Sequence, residues 1–276
     1  MRKIAFILLL AMTACVSTPS VPNQKLVVEG WIEAGAAPVV YVSTTMNPTE
    51  EELGVESLQE HIVKWAKVTV SDGDTEVILT GTASKRFYPP YAFTTGRITG
   101  EAGKTYSLKV EYGGAVATAS ATVPSPRELS SLAVVPMGSG GDGHLLRVSF
   151  QDDPLTEDYY RFFTRIQGAD SVFIPAPLAI VSDSMIENST VSMDITPGGS
   201  ILSSSWKGGF LSGEKVKLKF STMNRAMYLF WKSFDEQYSL SNIPVFSLDD
   251  NLPGNISGGI GYFAAYGSTV YDIAIP

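Results

Sequence analysis

Short segments rich in Val, Thr, Tyr and Ile, each closed by turn residues, recur along this chain and confine it to folds built from sheets. Before residue 124 they read LVVEGWI (26–32), VVYVSTT (39–45), KVTVSD (67–72), EVILTG (76–81), TYSLKVEYGG (105–114) and AVATASATV (115–123). A strand sends successive side chains to opposite faces, so such segments can bury one face and leave the other wet. Several of them at close spacing predict a β-sandwich. Ser71-Asp72-Gly73-Asp74 and Tyr112-Gly113-Gly114 mark tight turns, because glycine supplies the positive φ that hairpins require. Residues 25–123 are therefore expected to form an N-terminal sandwich of immunoglobulin-like or transthyretin-like type.

Pro124-Ser125-Pro126 then breaks the alternation. Prolines cannot donate to a strand ladder and sit better in a linker than in a sheet, so the boundary between two domains is placed there. Residues 127–276 carry LSSLAVVP (129–136), HLLRVSFQD (144–152), DYYRFFTRI (158–166) and EKVKLKFS (214–221), and this second domain also reads as mainly β. One stretch differs. Met223, Met227, Phe230, Trp231, Phe234 and Tyr238 recur three or four residues apart and share one face of a helix over about 222–238. Ser221 or Thr222 is placed to cap its start, Pro244 limits its continuation, and the stripe is expected to dock on a sheet. Asn47 to Gly54 gives a shorter helical signal, with proline at the first helical position and acids in the first turn. The expected fold class is mainly β: two β-sandwich-like domains with one amphipathic helix in the second.

The start of the chain points to its location. Arg2 and Lys3 precede an apolar run from Ile4 to Met12, which fits a secretory leader covering 1–14. A helix crossing a bilayer needs about 20 apolar residues, and polar residues, Gly or Pro interrupt every later apolar run, so no membrane-spanning helix is expected. Cys15 is the only cysteine in 276 residues. It follows Leu10-Ala11-Met12-Thr13-Ala14, which resembles a bacterial lipobox, although Met12 replaces the usual leucine. That resemblance implies cleavage before Cys15 and a lipid on its sulfur; the alternative is a free thiol in a leader cut elsewhere or kept. Residues 15–24 would be a lipidated tether, since Val16 to Asn23 hold two prolines and no charge and read as extended chain.

Loss of Arg2 and Lys3 with the leader takes the formal net charge from −8 to −10. Nucleic acid is not an expected partner of so acidic a chain, because phosphate backbones are bound through Lys and Arg. Catalysis would need a nucleophile with a base, a carboxylate pair or a metal site. His61 and His144 fall in different domains, Cys15 is consumed by lipid, and no HExxH, GxSxG or phosphate-cradling glycine loop occurs. No cofactor and no metal site are expected. Asp152, Asp153, Asp249 and Asp250 come nearest to the carboxylates of a glycoside hydrolase, and both pairs read more simply as turn residues. Gly258-Gly259-Ile260-Gly261 fits close backbone packing beside the last strand. The most suggestive functional surface is Lys85 to Phe93. Arg86, Phe87, Tyr88, Tyr91 and Phe93 surround a diproline and have the composition of a binding hot spot, which makes them the candidate binding loop. The other reading has two of these rings cover the open end of the first sandwich.

The lipobox, the early KLVVEGWI, the proline-bounded first domain, FQDDPLTEDYYRF (150–162) and NISGGIGYFAAYG (255–267) together resemble the DUF4249 lipoproteins of Bacteroidota, over essentially the whole mature chain. The most specific pieces are Asp153-Pro154 followed by Tyr159-Tyr160-Arg161, and Asn255 to Gly259 leading to Gly261-Tyr262-Phe263. The resemblance implies an envelope lipoprotein with β-rich domains, often found alongside TonB-dependent outer-membrane receptors. It brings no catalytic residues, because no biochemical activity is established for the family. Surface-exposed lipoproteins of that phylum often carry acids just after the lipidated cysteine, and Val16 to Ser20 has none, so both the periplasmic and the extracellular face stay open. The expected function is that of an outer-membrane-anchored, non-enzymatic binding or accessory protein, held to the membrane through Cys15, with a TonB-dependent receptor as its partner. The alternatives are a surface adhesin or structural scaffold, and a carboxylate-dependent hydrolase. Cys15→Ala should abolish metabolic labelling with palmitate and release the protein from the membrane fraction; undiminished labelling would remove Cys15 from this account.

Overall fold

The structure, a computed structural model, describes residues 24–45, 59–87, 89–138, 143–152, 156–182, 186, 190–199, 208–240 and 252–276. In chain order the strands are β1 (Leu26–Glu33), β2 (Val39–Thr44), β3 (Lys67–Ser71), β4 (Glu76–Ile78), β5 (Thr80–Ala83), β6 (Tyr91–Thr94), β7 (Thr105–Tyr112) and β8 (Ala115–Thr122). They continue with β9 (Leu129–Pro136), β10 (His144–Gln151), β11 (Tyr159–Ile166), β12 (Ile174–Ser182), β13 (Thr190–Ile195) and β14 (Lys215–Met223). The helix α1 (Arg225–Leu240) and the long strand β15 (Ile260–Ala274) follow. The fold is mainly β, and the alternating segments of the sequence form strands. EVILTG is the instructive exception. It divides into β4 and β5, which belong to different sheets, and the buried Leu79 between them donates its amide to the Val68 carbonyl at 2.8 Å.

One eight-stranded sheet, ordered β12-β11-β14-β15-β1-β2-β6-β5, carries the architecture. A four-stranded sheet, β4-β3-β7-β8, and a three-stranded sheet, β13-β10-β9, complete it. Side-chain parity along β15 shows how the layers stack. Phe263 and Ala265 enter the core with Val28, Val40, Val68, Leu108 and Val110, whereas Tyr271 and Ile273 pack against the core of Leu146, Phe150, Phe162, Leu218 and Phe220. All four β15 residues have odd numbers and so face the same way. The two smaller sheets therefore lie side by side on one face of the large one, each closing a sandwich. The opposite face takes Ala264 and Tyr266, and there α1 packs with Met227, Phe230 and Trp231.

The helix begins later than its periodicity predicts. Thr222 and Met223 finish β14, and the Asn224 side chain accepts the Met227 amide at 3.0 Å, so Asn224 is the cap in place of Ser221 or Thr222. Thr222 is otherwise engaged, since its hydroxyl donates to the Ser125 carbonyl at 2.9 Å. No helix among the described residues is long and apolar enough to cross a membrane. The shorter helical signal at 47–54 lies outside the described residues, as does everything before Gln24.

The last strand crosses the boundary that the sequence places at 124–126. Ile260 to Tyr266 run parallel to β1, and Gly267 to Ala274 run antiparallel to β14. At the changeover the proline linker passes directly over Gly267, where a Cβ would stand 2.3 Å from the Pro124 carbonyl oxygen and 2.6 Å from the Pro126 nitrogen. Thr269 holds the same linker from β15, donating to the Arg127 carbonyl at 2.8 Å. Gly267→Ala should therefore destabilise the protein by about 1–3 kcal/mol, the usual cost of overpacking against atoms that cannot move aside. Denaturant unfolding measures this; an unchanged midpoint would mean that the linker does not press on the sheet.

Candidate binding surface

The face of the large sheet beneath and beside α1 collects charged residues that the strand pattern would place in a core. β11 contributes Arg161 and Phe163, β14 contributes Lys219, β1 contributes Glu29, Trp31 and Glu33, and β15 contributes Tyr262 and Tyr266. Arg161 is fully buried and makes two bonds of 2.9 Å to the Asp235 carboxylate on α1. Its guanidinium also lies 4.4 Å from the centre of the Trp231 ring, and Trp231 donates its indole N–H to the Tyr266 hydroxyl at 2.9 Å. Lys219 donates to Glu33 at 2.7 Å, with its ammonium 4.7 Å from the Phe163 ring centre and 4.9 Å from that of Phe173. Each buried cation thus has a carboxylate and aromatic faces, the arrangement that makes its burial tolerable.

Glu29 is the exception on this face. The strand register sets it between Tyr41 of β2 and Tyr262 of β15. Trp31 packs on Tyr41 at 5.7 Å between ring centres, Phe87 meets Tyr41 edge-on at 6.4 Å, and Tyr262 contacts Phe230 at 4.5 Å. Among the described residues nothing donates a hydrogen bond to the Glu29 carboxylate, and loss of water raises its pKa above the ordinary carboxylate value. The neighbouring Tyr262 hydroxyl is also pushed well up by burial. A partly accessible carboxylate beside aromatic rings has the chemistry to take a cationic group: the charge attracts it and the ring faces favour it.

The candidate loop divides. Arg86 is exposed and Phe87 rests on Tyr41. Tyr91 and Phe93 belong to strand β6, where Phe93 is buried in the first core and Tyr91 crosses its ring edge-on at 5.6 Å. Phe93 is therefore a packing residue, because its odd-numbered face of β6 points into the sandwich. Tyr91 donates its hydroxyl to the Lys64 carbonyl at 2.9 Å. Tyr88, Cys15, Asp153, Asp249 and Asp250 lie outside the described residues. Asp152, read from sequence as a turn residue, is buried and accepts the Tyr160 hydroxyl at 2.6 Å. Burial and that bond push the Tyr160 hydroxyl far up, while Asp158 beside it holds Arg127 at 3.0 Å. His61 shares a 3.2 Å hydrogen bond with Thr44, and His144 lies apart in β10, bridged to Phe210. No group of three His, Cys, Asp or Glu among the described residues is placed to hold a metal ion.

Sequence reasoning missed Glu29, Tyr41 and Tyr262 because three segments must pair before they meet. One signal was present: Glu29 is the single charge within LVVEGWI. The ion pairs make a stability prediction. Asp235→Ala leaves Arg161 buried without its carboxylate and should destabilise by about 3–5 kcal/mol, whereas Arg161→Met, which removes the charge itself, should lose less. Urea unfolding of the two variants checks the order, and equal losses would show that the buried charge is not the cause.

A family model described as a domain of unknown function, DUF4249, matches residues 16–272, from before β1 to near the end of β15. No curated protein matches. The family match spans both sandwiches, the linker between them, the helix and the strand that joins them, and the chain belongs to the DUF4249 family.

Proposed function

We propose that this chain is an envelope lipoprotein, held at the outer membrane through Cys15, that acts without catalysis as an accessory binding protein for a TonB-dependent receptor. The contact we assign is reception of a cationic group, such as a lysine or arginine side chain of the receptor, at Glu29 between Tyr41 and Tyr262. The observation that supports this reading is the contrast on one sheet face. Glu33 and Asp235 each hold a buried cation, while Glu29, set by the register between Tyr41 and Tyr262, holds none among the described residues. A carboxylate kept in such a place weakens the fold, and sites that weaken the fold are where function is found. Arg86 and Phe87, at the rim beside Tyr41, extend the contact. An adhesin would use the same surface on a host or matrix molecule and would not copurify with a receptor.

The test uses opposite signs for stability and binding. Glu29 keeps its proton to higher pH in the folded chain than in the unfolded one. Its contribution to stability is therefore fully present below the unfolded value of about 4.3 and is lost as pH rises through the folded value. Glu29→Gln should match the parent's melting temperature near pH 4 and exceed it at pH 8, at roughly 2–4 °C for each 1 kcal/mol relieved. The same variant should lose copurification with the receptor. A variant that gains stability and still binds would sink the assignment of Glu29, and loss of stability at pH 8 would show that the carboxylate has a partner in the fold.

A further inference from the structure

The end of the first sandwich from which the tether leaves has a different surface from the other end. Lys25 and Thr45 exchange backbone and hydroxyl bonds of 3.0 and 3.1 Å, and Thr44 meets His61, so the tether, the end of β2 and the segment from His61 form one edge. From there the chain runs through Val63, whose amide donates to Val42, to Trp65, which is 88% exposed. The hairpin of β7 and β8 reaches the same end: Val116 packs its carbonyl against Gly258, and Ala117 and the Leu26 carbonyl both close on Gly259. Tyr112 and Val116, at the tip of that hairpin, are large exposed hydrophobics as well. β6 runs antiparallel to β2, with Val40 opposite Phe93, so Ser84 to Phe87, with Pro89 and Pro90, lie past Tyr91 toward this edge.

Charge follows the same division. Among the described residues Lys64, Lys85 and Arg86 are exposed on the tether side, and of the acids described there Glu111 is held by Lys67 and Lys109 while Glu60 stands beside His61. The far end carries Asp72, Asp74 and Glu101 around the start of β7; of its cations Lys104 is paired with two of them and Arg97 is exposed. Among the described residues it has none of the large exposed hydrophobics of this sandwich. Among the described residues, a chain with net charge −8 thus brings three exposed basic residues, an exposed tryptophan and a tyrosine to the end where its anchor begins. Trp and Tyr favour the headgroup layer of a bilayer, and Lys and Arg favour anionic headgroups.

We infer that this end is a membrane-seating surface, which lays Trp65, Tyr112 and Val116 into the headgroup region of the bilayer to which the chain is tethered. The inference rests on the reading of Cys15 as the anchor only for the direction it gives. Eight residues from Val16 to Asn23, at about 3.3 Å each, reach no more than roughly 25 Å, which keeps this end nearest the surface. Seating fixes the protein's orientation as well as its attachment, and it leaves the face beside α1 turned sideways, open to a neighbour in the same membrane.

Trp65 is its own reporter. The acylated protein is reconstituted into vesicles of phosphatidylethanolamine and phosphatidylglycerol with brominated acyl chains, which quench tryptophan only where it reaches the bilayer. Quenching is expected in the parent, and Trp65→Phe, an exposed substitution whose melting temperature should not move, is expected to lose most of it among the four tryptophans. The unacylated Cys15→Ala chain, added to the same vesicles, should sediment with them weakly and more so with phosphatidylglycerol than without. That arm separates the anchor from the seat: binding here, together with palmitate labelling that Cys15→Ala leaves undiminished, would reject Cys15 and keep the surface. Equal quenching in the parent and Trp65→Phe, or no quenching in either, overturns the proposal, and Trp65 protected only when a protein partner is present assigns the surface to that partner.

Discussion

Strand β15 changes partner along its length, and the rest of the structure depends on that change. Its first half is hydrogen-bonded in parallel to β1 and its second half antiparallel to β14. A parallel neighbour cannot come from a hairpin and must be brought by a long connection, and here that connection is nearly the entire protein. The strand completes the core of the first sandwich with Phe263 and Ala265 and the core of the second with Ile273. Two sandwiches that a proline linker would leave free become parts of a single sheet. Gly267 sits at the changeover because the linker must cross there, and any side chain would occupy its path.

Joining the sandwiches creates the face that holds the charges. β11 and β14 come from the second half of the chain and β1 from the first, so the pair of Lys219 with Glu33 spans 186 residues and exists only in the joined sheet. The pair of Arg161 with Asp235 ties α1 to the same sheet. Buried pairs of this kind gain little over apolar packing, yet losing one member is costly. Glu29, which has no cation among the described residues, shows what burial does in that setting: loss of water raises its pKa, and a proton or a cation would relieve it.

Much of this was legible locally. The hairpin of β7 and β8 follows from alternation and from Gly113 and Gly114, both of which take the positive φ such a turn requires. The stripe of Met223, Met227, Phe230 and Trp231 does dock on a sheet. Local pattern failed where two outcomes share one signature. EVILTG alternates as a single strand would, and only the packing of Leu79 shows that the chain changes sheets there. Tyr91 and Phe93 resemble exposed hot-spot aromatics, but a ring at a sandwich edge has the same composition whether it faces water or the core, and pairing with β2 turned Phe93 inward.

The amino-acid sequence by itself determined the mainly β class, the hairpins, the amphipathic helix and the break at Pro124 to Pro126, because each depends on φ preferences and side-chain periodicity within a few residues. Tertiary structure alone decided which strands became neighbours. No local pattern encodes that Ile260 pairs beside Val27, since the register of distant strands is selected by the total packing of both faces at once. The surroundings of Glu29 follow from that choice: residues 29, 41 and 262 become neighbours only after β1 has taken β2 on one side and β15 on the other.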